Sequence, residues 1–147
     1  ALFQPDIPQN TAAIVRLGAC FRLKIHIIQP CGFNLNDSRF KRVAMDYLNL
    51  SRIYSYQDYS KFKKKNSKAR IILITTKGSK EYNKFKFKKN DILLFGRESG
   101  GVPIEIHQEI KNRLKIPMQK KTRSLNLAMA VAIVSSEALR QNNFLIR

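Results

Sequence analysis

The sequence predicts an α/β domain whose mainly parallel sheet is covered by helices on both faces, and three observations lead to this fold class. Apolar segments of strand length alternate with amphipathic segments of helical length along the chain. The clearest strands, residues 70–75 and 91–95, are apolar almost throughout, which is typical of strands buried on both faces. No repeat, low-complexity segment or linker divides the 147 residues, so we expect one domain over residues 1–147.

The first half of the chain predicts alternating strands and helices. Ala1 begins in the tail of a strand, and because no initiator Met precedes it, we expect that an earlier part of this strand has been removed. The further elements are a helix at 12–19, a buried strand at 23–28, a helix at 38–45, an edge strand at 47–54 and a helix at 56–65. His26 has no second histidine nearby, which favours a hydrogen-bonded residue at the edge of the core over a metal ligand.

The second half continues the alternation. Its elements are a buried strand at 70–75, an edge segment at 80–89, a buried strand at 91–95, a helix at 104–110, a last strand at 115–118 and a closing helix to about Gln141. The alternation of Lys with Tyr and Phe in the edge segment fits a nucleic-acid face or, more commonly, inward-facing Phe85 and Phe87.

The closing helix is unusual because it is apolar on nearly all faces from residue 125 to 134. Such a helix is buried in a core or against a partner chain. Ser124 is predicted to be its N-cap. Asn126 lies in the first turn, where free backbone N–H groups gather and a ligand could bind. For both residues, a purely capping role is an equally good interpretation.

The composition indicates an anionic partner. The formal net charge is +18, from 28 Lys and Arg against 10 Asp and Glu. Such an excess favours nucleic acid first and an acidic membrane surface second. Cys20 and Cys31 lack metal-ligand spacing and are interpreted as free thiols in a reducing compartment, although one disulfide stays open. Without a bilayer-spanning apolar run or a signal peptide, we expect a cytoplasmic protein with no membrane partner.

Three loops follow predicted strands, at the edge of the sheet where α/β proteins bind ligands. They come after Thr75, Phe95 and Met118, and the second is Gly-rich and carries the carboxylate of Glu98. The glycines alone are consistent with ordinary turns. No dinucleotide fingerprint, phosphate-binding loop or metal-ligand cluster is present, so we expect no metal. Together with the basic charge, these loops predict a small-molecule pocket beside an RNA-binding surface.

Three separated motifs resemble those of SPOUT-class RNA ribose methyltransferases. They are PDIPQNT at 5–11 with Arg16, FGRESGGVP at 95–103, and IPM at 116–118 followed by RSLNL at 123–127. The sequence is most similar to the small, single-domain type that methylates the wobble nucleotide of transfer RNA. The resemblance extends over almost the whole chain, and the order and separation of the motifs make it specific.

The resemblance implies a C-terminal trefoil knot, a homodimer joined along the closing helix, and S-adenosylmethionine bound in the knot and released as S-adenosylhomocysteine. The implied substrate is the anticodon region of tRNA. The implied cofactor-binding residues are Ile74, Gly96, Ile116 and Ser124. The implied catalytic residues are Arg16, Asn10, Glu98 and Asn126. Because a guanidinium hardly loses its proton, we expect Arg16 to hold a neighbouring phosphate and stabilise the developing alkoxide rather than act as a base.

Three positions depart from the family pattern. Arg97 stands where relatives often carry Pro, Gly100 where they often carry Arg, and Ser136 where a Tyr is frequent. The first two bear on RNA contacts and the third on dimer packing. Two other functions stay open at this point: a non-enzymatic, ribosome-associated RNA-binding domain, and a 2′-O-methyltransferase of ribosomal RNA.

Overall fold

Within residues 1–143, the sheet has seven strands, and all of the strand pairs are parallel. The computed structural model describes residues 1–143, apart from the side chains of residues 39, 43, 45, 46 and 48. The strands are β1 (Leu2–Phe3), β2 (Lys24–Ile28), β3 (Arg52–Tyr56), β4 (Ile71–Ile74), β5 (Lys80–Glu81), β6 (Ile92–Phe95) and β7 (Asn112–Lys115). Their order is β3-β2-β1-β6-β4-β7-β5. The predicted parallel sheet is therefore confirmed.

Helices cover both faces of this sheet, as predicted. They are α1 (Pro8–Cys20), α2 (Ser38–Leu48), α3 (Tyr59–Lys65), α4 (Ile104–Glu109) and α5 (Leu127–Gln141). Ile14 of α1 and Val131 of α5 belong to one core cluster, with Ile72 of the sheet. Phe62 of α3 and Ile106 of α4 pack on the other face. None of the helices among residues 1–143 has the length and apolarity that a membrane crossing requires.

The central strand β4 is apolar throughout because it is buried on both faces. In β4, Ile72 and Ile74 belong to the cluster on the α1/α5 face, whereas Leu73 belongs to the cluster on the α3/α4 face. All three side chains are buried. A strand covered on both faces has no polar side to alternate with, which explains its continuous apolar run.

Two strand predictions were wrong in position. The last strand was predicted at 115–118, but β7 is Asn112–Lys115, and Ile116 begins the loop that follows. In β7 only Leu114 is fully buried, so this strand lacks an apolar run. The edge strand predicted at 47–54 is β3, at Arg52–Tyr56, because α2 extends to Leu48. β3 does lie at one edge of the sheet.

The predictions for His26, for the two Phe residues after β5 and for the two cysteines are confirmed. His26 is buried, and its Nδ1 is 2.8 Å from the Tyr56 hydroxyl. Burial lowers the pKa of His26 to about 4. In the segment after β5, Phe87 is buried and Phe85 packs against the same core. Cys20 and Cys31 are both free thiols.

Candidate functional site

The three predicted loops meet around one cavity of about 510 Å³. Its floor includes Leu73 and Phe95, at the carboxyl ends of β4 and β6. Its walls come from residues 75–77 after β4, residues 96–102 after β6, and Ile116, Met118, Ser124 and Leu125 after β7. The cavity thus lies where the parallel sheet predicted a ligand site.

The loop after β6 is folded tightly back on itself. Arg97 and Gly101 exchange two backbone hydrogen bonds, of 3.1 and 2.9 Å. Gly101 has a φ of +68°, a conformation that glycine adopts without strain. A side chain on Gly96 would place its Cβ 2.5 Å from the Cα of Gly101, so only glycine fits there. This turn projects Glu98 toward the loop between β1 and α1.

A chain of hydrogen bonds joins the three sequence motifs. The Glu98 carboxylate accepts a bond from the backbone N–H of Asp6 at 2.8 Å and one from Nδ2 of Asn10 at 3.0 Å. Oδ1 of Asn10 in turn accepts a bond from Nδ2 of Asn126 at 2.9 Å. Residues more than 80 positions apart in sequence are therefore held together at the cavity.

The start of α5 determines which groups donate and which accept along this hydrogen-bonded chain. Asn126 is the N-cap, and its Oδ1 accepts bonds from the N–H groups of Ala128 at 2.9 Å and Met129 at 3.4 Å. With Oδ1 committed to the helix, Asn126 has only its NH₂ group to offer Asn10, whose own NH₂ group then points at Glu98. Ser124 was predicted as the cap, which is wrong: it is exposed in the preceding loop and lines the cavity.

A second link connects the same two loops. The Arg97 guanidinium forms an ion pair with the Asp6 carboxylate, which also accepts a bond from the backbone N–H of Ser99 at 2.9 Å. Arg97 is the main cause that lowers the pKa of Asp6 to about 2, and the pair raises the pKa of Arg97. Arg97, one of the departures from the family pattern, therefore holds the Glu98 loop against the loop before α1.

Seven of the eight predicted site residues are brought together. Asn10, Glu98 and Asn126 form the hydrogen-bonded chain, whereas the four predicted cofactor residues line the cavity, namely Ile74, Gly96, Ile116 and Ser124. Arg16 lies apart from them. It is exposed on α1, and its guanidinium lies 5.0 Å from the centre of the Tyr47 ring.

Sequence reasoning did not single out two residues of this region. Asp6 lies within the first motif, but nothing in the motif indicated its ion pair with Arg97. His107 of α4 contributes to the cavity wall, and its Nε2 is buried without a hydrogen-bond partner among the described residues. A buried, unpaired nitrogen costs stability, which makes it notable. A single histidine in a short helix gives no sequence signal for this position.

The arrangement suits a small molecule with an apolar or aromatic part and polar ends. The cavity volume lies in the usual range for ligand sites, and Leu73, Phe95 and Leu127 supply apolar wall. The tight glycine turn lets backbone groups approach a ligand closely. Within residues 1–143, no group of three His, Cys, Asp or Glu side chains is arranged to hold a metal ion.

Comparison with known proteins gives a family. The profile of the SpoU rRNA Methylase family matches residues 1–136. A tRNA (cytidine(34)-2′-O)-methyltransferase of Beijerinckia indica subsp. indica is 45% identical over 144 residues, which cover 96% of this chain and 89% of that protein.

Solved structures agree with this result. One, described as giving structural insights into the 2-OH methylation of C/U34 on tRNA, has a TM-score of 0.93 and 36% identity, covering 97% of this chain and 93% of that one. The SpoU methyltransferase AviRb from Streptomyces viridochromogenes, in complex with the cofactor AdoMet, has a TM-score of 0.81 at 21% identity, covering 97% of this chain and 59% of that one. The second likeness bears on the fold alone.

Proposed function

The chain belongs to the SpoU rRNA Methylase family, and from this premise we propose that it transfers a methyl group from S-adenosylmethionine to the ribose 2′-hydroxyl of the wobble nucleotide of tRNA, cytidine or uridine 34. The relatives of known specificity match nearly the whole chain, which supports a tRNA rather than an rRNA substrate. With a tRNA substrate, the proposed location is the cytoplasm.

The observation that carries the proposal is the hydrogen-bonded chain from Glu98 through Asn10 to Asn126. It joins the three motifs that resemble those of ribose methyltransferases, and it does so beside a cavity of suitable volume. Transfer between two bound molecules depends mainly on alignment, and polar groups that are fixed before binding supply it at little entropic cost.

We propose that the cofactor is held in the cavity by Ile74, Gly96, Ile116 and Ser124. Gly96 lines the cavity without a side chain, which suits contacts through main-chain groups, and Ser124 offers a hydroxyl from the loop before α5. When bound, S-adenosylmethionine supplies a methyl group on a positively charged sulfur.

Arg16 is proposed to act on the RNA rather than on the cofactor. It is exposed, outside the hydrogen-bonded chain and absent from the cavity wall. Its cation–π contact with Tyr47 keeps the guanidinium extended at the surface. From there it can hold the phosphate next to the target ribose and stabilise the developing alkoxide, while keeping its proton.

A homodimer is also part of the proposal. Met129 and Ile133, one turn apart on α5, are 58% and 36% exposed, and Ile7 before α1 is 42% exposed. Apolar side chains grouped on an otherwise buried helix suit a protein interface. Met129→Lys places a charge there, so we expect sedimentation to show monomers where the wild type forms dimers; dimers with unchanged affinity would contradict this interface.

We also propose that the C-terminal part of the chain forms the trefoil knot that the resemblance predicts. Support comes from the strand order, since β7 lies between β4 and β5, and the chain then runs through residues 116–126 to α5, which contacts α1 and β6. The loops after β4 and β6 line the same cavity as this crossing segment.

Labelled methyl transfer tests the proposed function directly. The purified protein is incubated with S-adenosylmethionine carrying a radioactive methyl group and with either tRNA or rRNA, and the labelled nucleotide is mapped. We expect label on the ribose of nucleotide 34 of tRNA. Label only on rRNA would contradict the substrate, and no transfer to either RNA would favour a non-enzymatic RNA-binding role.

The Arg16→Ala variant tests the role of Arg16. We expect it to abolish methyl transfer and leave S-adenosylmethionine binding, measured by calorimetry, nearly intact. Arg42→Ala, which removes an exposed arginine from α2, is the matched control and should remain active. Turnover retained in Arg16→Ala would refute the assignment.

A further inference from the structure

A second concave region lies at the other end of the sheet. This amino-end cleft, of about 580 Å³, is formed by α3, the end of α4, and the residues that begin β4 and β7. Its ionisable lining residues are Tyr59, Lys63, Lys64, Arg70, Glu109 and Lys111. None of the sequence motifs discussed above contributes to it.

The carboxylates near the cleft are already neutralised. Lys63 forms an ion pair with Glu109, with 2.8 Å between Nζ and Oε1. Arg70 forms two hydrogen bonds with the nearly buried carboxylate of Asp91, at 2.7 and 2.6 Å. The remaining positive charge belongs to Lys64 and Lys111, which have no ion-pair partner in the described part of the chain.

The cleft and the cavity lie at opposite ends of the same strand. Ile71, the first residue of β4, lines the cleft, and Ile74, the last, lines the cavity. Three residues of strand span about 10 Å. A polynucleotide carries a phosphate at every nucleotide, so RNA that reaches the cavity has further phosphates within range of the cleft.

We propose that the amino-end cleft is a second RNA contact, at which Lys64 and Lys111 bind backbone phosphates of the substrate; this inference rests on the proposed function. The hydroxyls of Ser60 and Ser67 add neutral donors at the same wall. The Tyr59 ring packs on Phe62 and its hydroxyl donates to Glu109, so it is not a free platform for base stacking. The contact is therefore independent of nucleotide sequence and positions the RNA.

The test removes the two unpaired lysines together. Lys64→Ala/Lys111→Ala is compared with Lys86→Ala/Lys88→Ala, which removes two exposed lysine side chains that do not line the cleft and leaves the hydrogen bond from Arg70 to the backbone carbonyl of Lys86 in place. Binding of fluorescein-labelled tRNA is measured by anisotropy over a series of salt concentrations. We expect the cleft variant to bind roughly tenfold more weakly in low salt, and the slope of log K against log salt to fall by about 1.4 to 1.8 for two phosphates.

Methyl-transfer kinetics separate this inference from the proposed function. We expect the cleft variant to raise KM for tRNA and leave kcat and S-adenosylmethionine affinity unchanged, whereas the control stays near wild type. If the cleft variant were an active enzyme with unchanged tRNA affinity and an unchanged salt slope, only the inference about the cleft would be overturned. If the variant lost binding of fluorescent poly(glutamate) but not of tRNA, the cleft would serve an acidic protein instead. Failure of wild-type methyl transfer would overturn the proposed function, and the anisotropy titration would still report on the cleft.

Discussion

At the carboxyl ends of the strands the polar side chains are bonded to one another, whereas at the amino ends two exposed lysines, Lys64 and Lys111, have no ion-pair partner in the part of the chain that the structure describes. Glu98, Asn10 and Asn126 each have a defined donor or acceptor. The polar side chains at the carboxyl ends are therefore held in fixed positions, whereas the lysines at the amino ends contribute positive charge.

This difference predicts different tolerance to substitution. A fixed hydrogen-bonded chain fails when one member changes its donor or acceptor character, because the mismatch passes to the next member. Exposed charges contribute in small, nearly additive amounts that salt weakens.

The largest expected effect is at Gly96. In Gly96→Ala the new Cβ would lie 2.5 Å from backbone atoms of Gly101, so the turn that carries Glu98 must open. We expect S-adenosylmethionine binding to become undetectable by calorimetry while circular dichroism stays that of a folded protein. Gly100→Ala is the control, since nothing lies within 4 Å of a Cβ there, and it should bind normally. Equal affinities of the two variants would show that the turn does not shape the cavity.

Glu98→Gln tests whether the donor and acceptor pattern of the hydrogen-bonded chain from Glu98 to Asn126 is important. Both oxygens of Glu98 accept bonds, and one of them faces the NH₂ group of Asn10. An amide at this position turns one acceptor into a donor, which then opposes either the Asn10 NH₂ group, held in place by Asn126, or the backbone N–H of Asp6. We expect kcat for methyl transfer to fall roughly 100-fold, nearly as far as in Glu98→Ala. A Gln variant with wild-type kcat would show that catalysis does not need both bonds that Glu98 accepts.

Arg70→Lys examines the ion pair at the amino end that is held by two hydrogen bonds. The planar guanidinium makes two bonds to Asp91, and a lysine can make only one of comparable geometry. We expect urea denaturation to show a loss of about 1 kcal/mol in the free energy of unfolding. The kcat of methyl transfer should not change, and a reduced kcat would mean that the two ends of the sheet are coupled.

The smallest expected effect is a pH dependence from Asp6. Its pKa in the folded protein, about 2, lies below the ordinary value of 3.8, so the unfolded chain takes up the proton first as the pH falls. The stabilisation is complete above about pH 4 and is lost as the pH falls toward 2. Urea midpoints at pH 6 and pH 3 should therefore differ less in Asp6→Asn than in the wild type. Equal differences would mean that the Asp6–Arg97 pair adds nothing.

The sequence predicted the centre of the sheet better than its edge. Residues 70–75 and 91–95 could be identified because burial on both faces leaves a continuous apolar run. β7 could not, since only Leu114 is fully buried there, while the apolar Ile116 that follows faces the cavity instead of continuing the strand. The hydrophobic pattern of a sequence indicates which residues are buried. Near an edge of the sheet or beside a cavity, however, the buried residues are not always the ones that pair in a strand.

At the site, the motifs located the loops but not the contacts between them. Ser124 and Asn126 are both residues that cap helices, and nothing local indicates which of them begins α5. The Asp6–Arg97 pair joins residues 91 positions apart and depends on how two loops meet in space. Such contacts follow from tertiary packing, which a single sequence does not display.

Asn126 is at once the first residue of α5 and the last link to Glu98, and this has a consequence for biosynthesis. The backbone groups that orient it belong to Ala128 and Met129, which are translated after Asn10 and Glu98. Until that helix has formed, Oδ1 of Asn10 lacks the Asn126 donor that orients it, and the Asn10 NH₂ group is not yet held toward Glu98. We therefore expect a nascent chain to be inactive toward RNA until α5 has been made and folded.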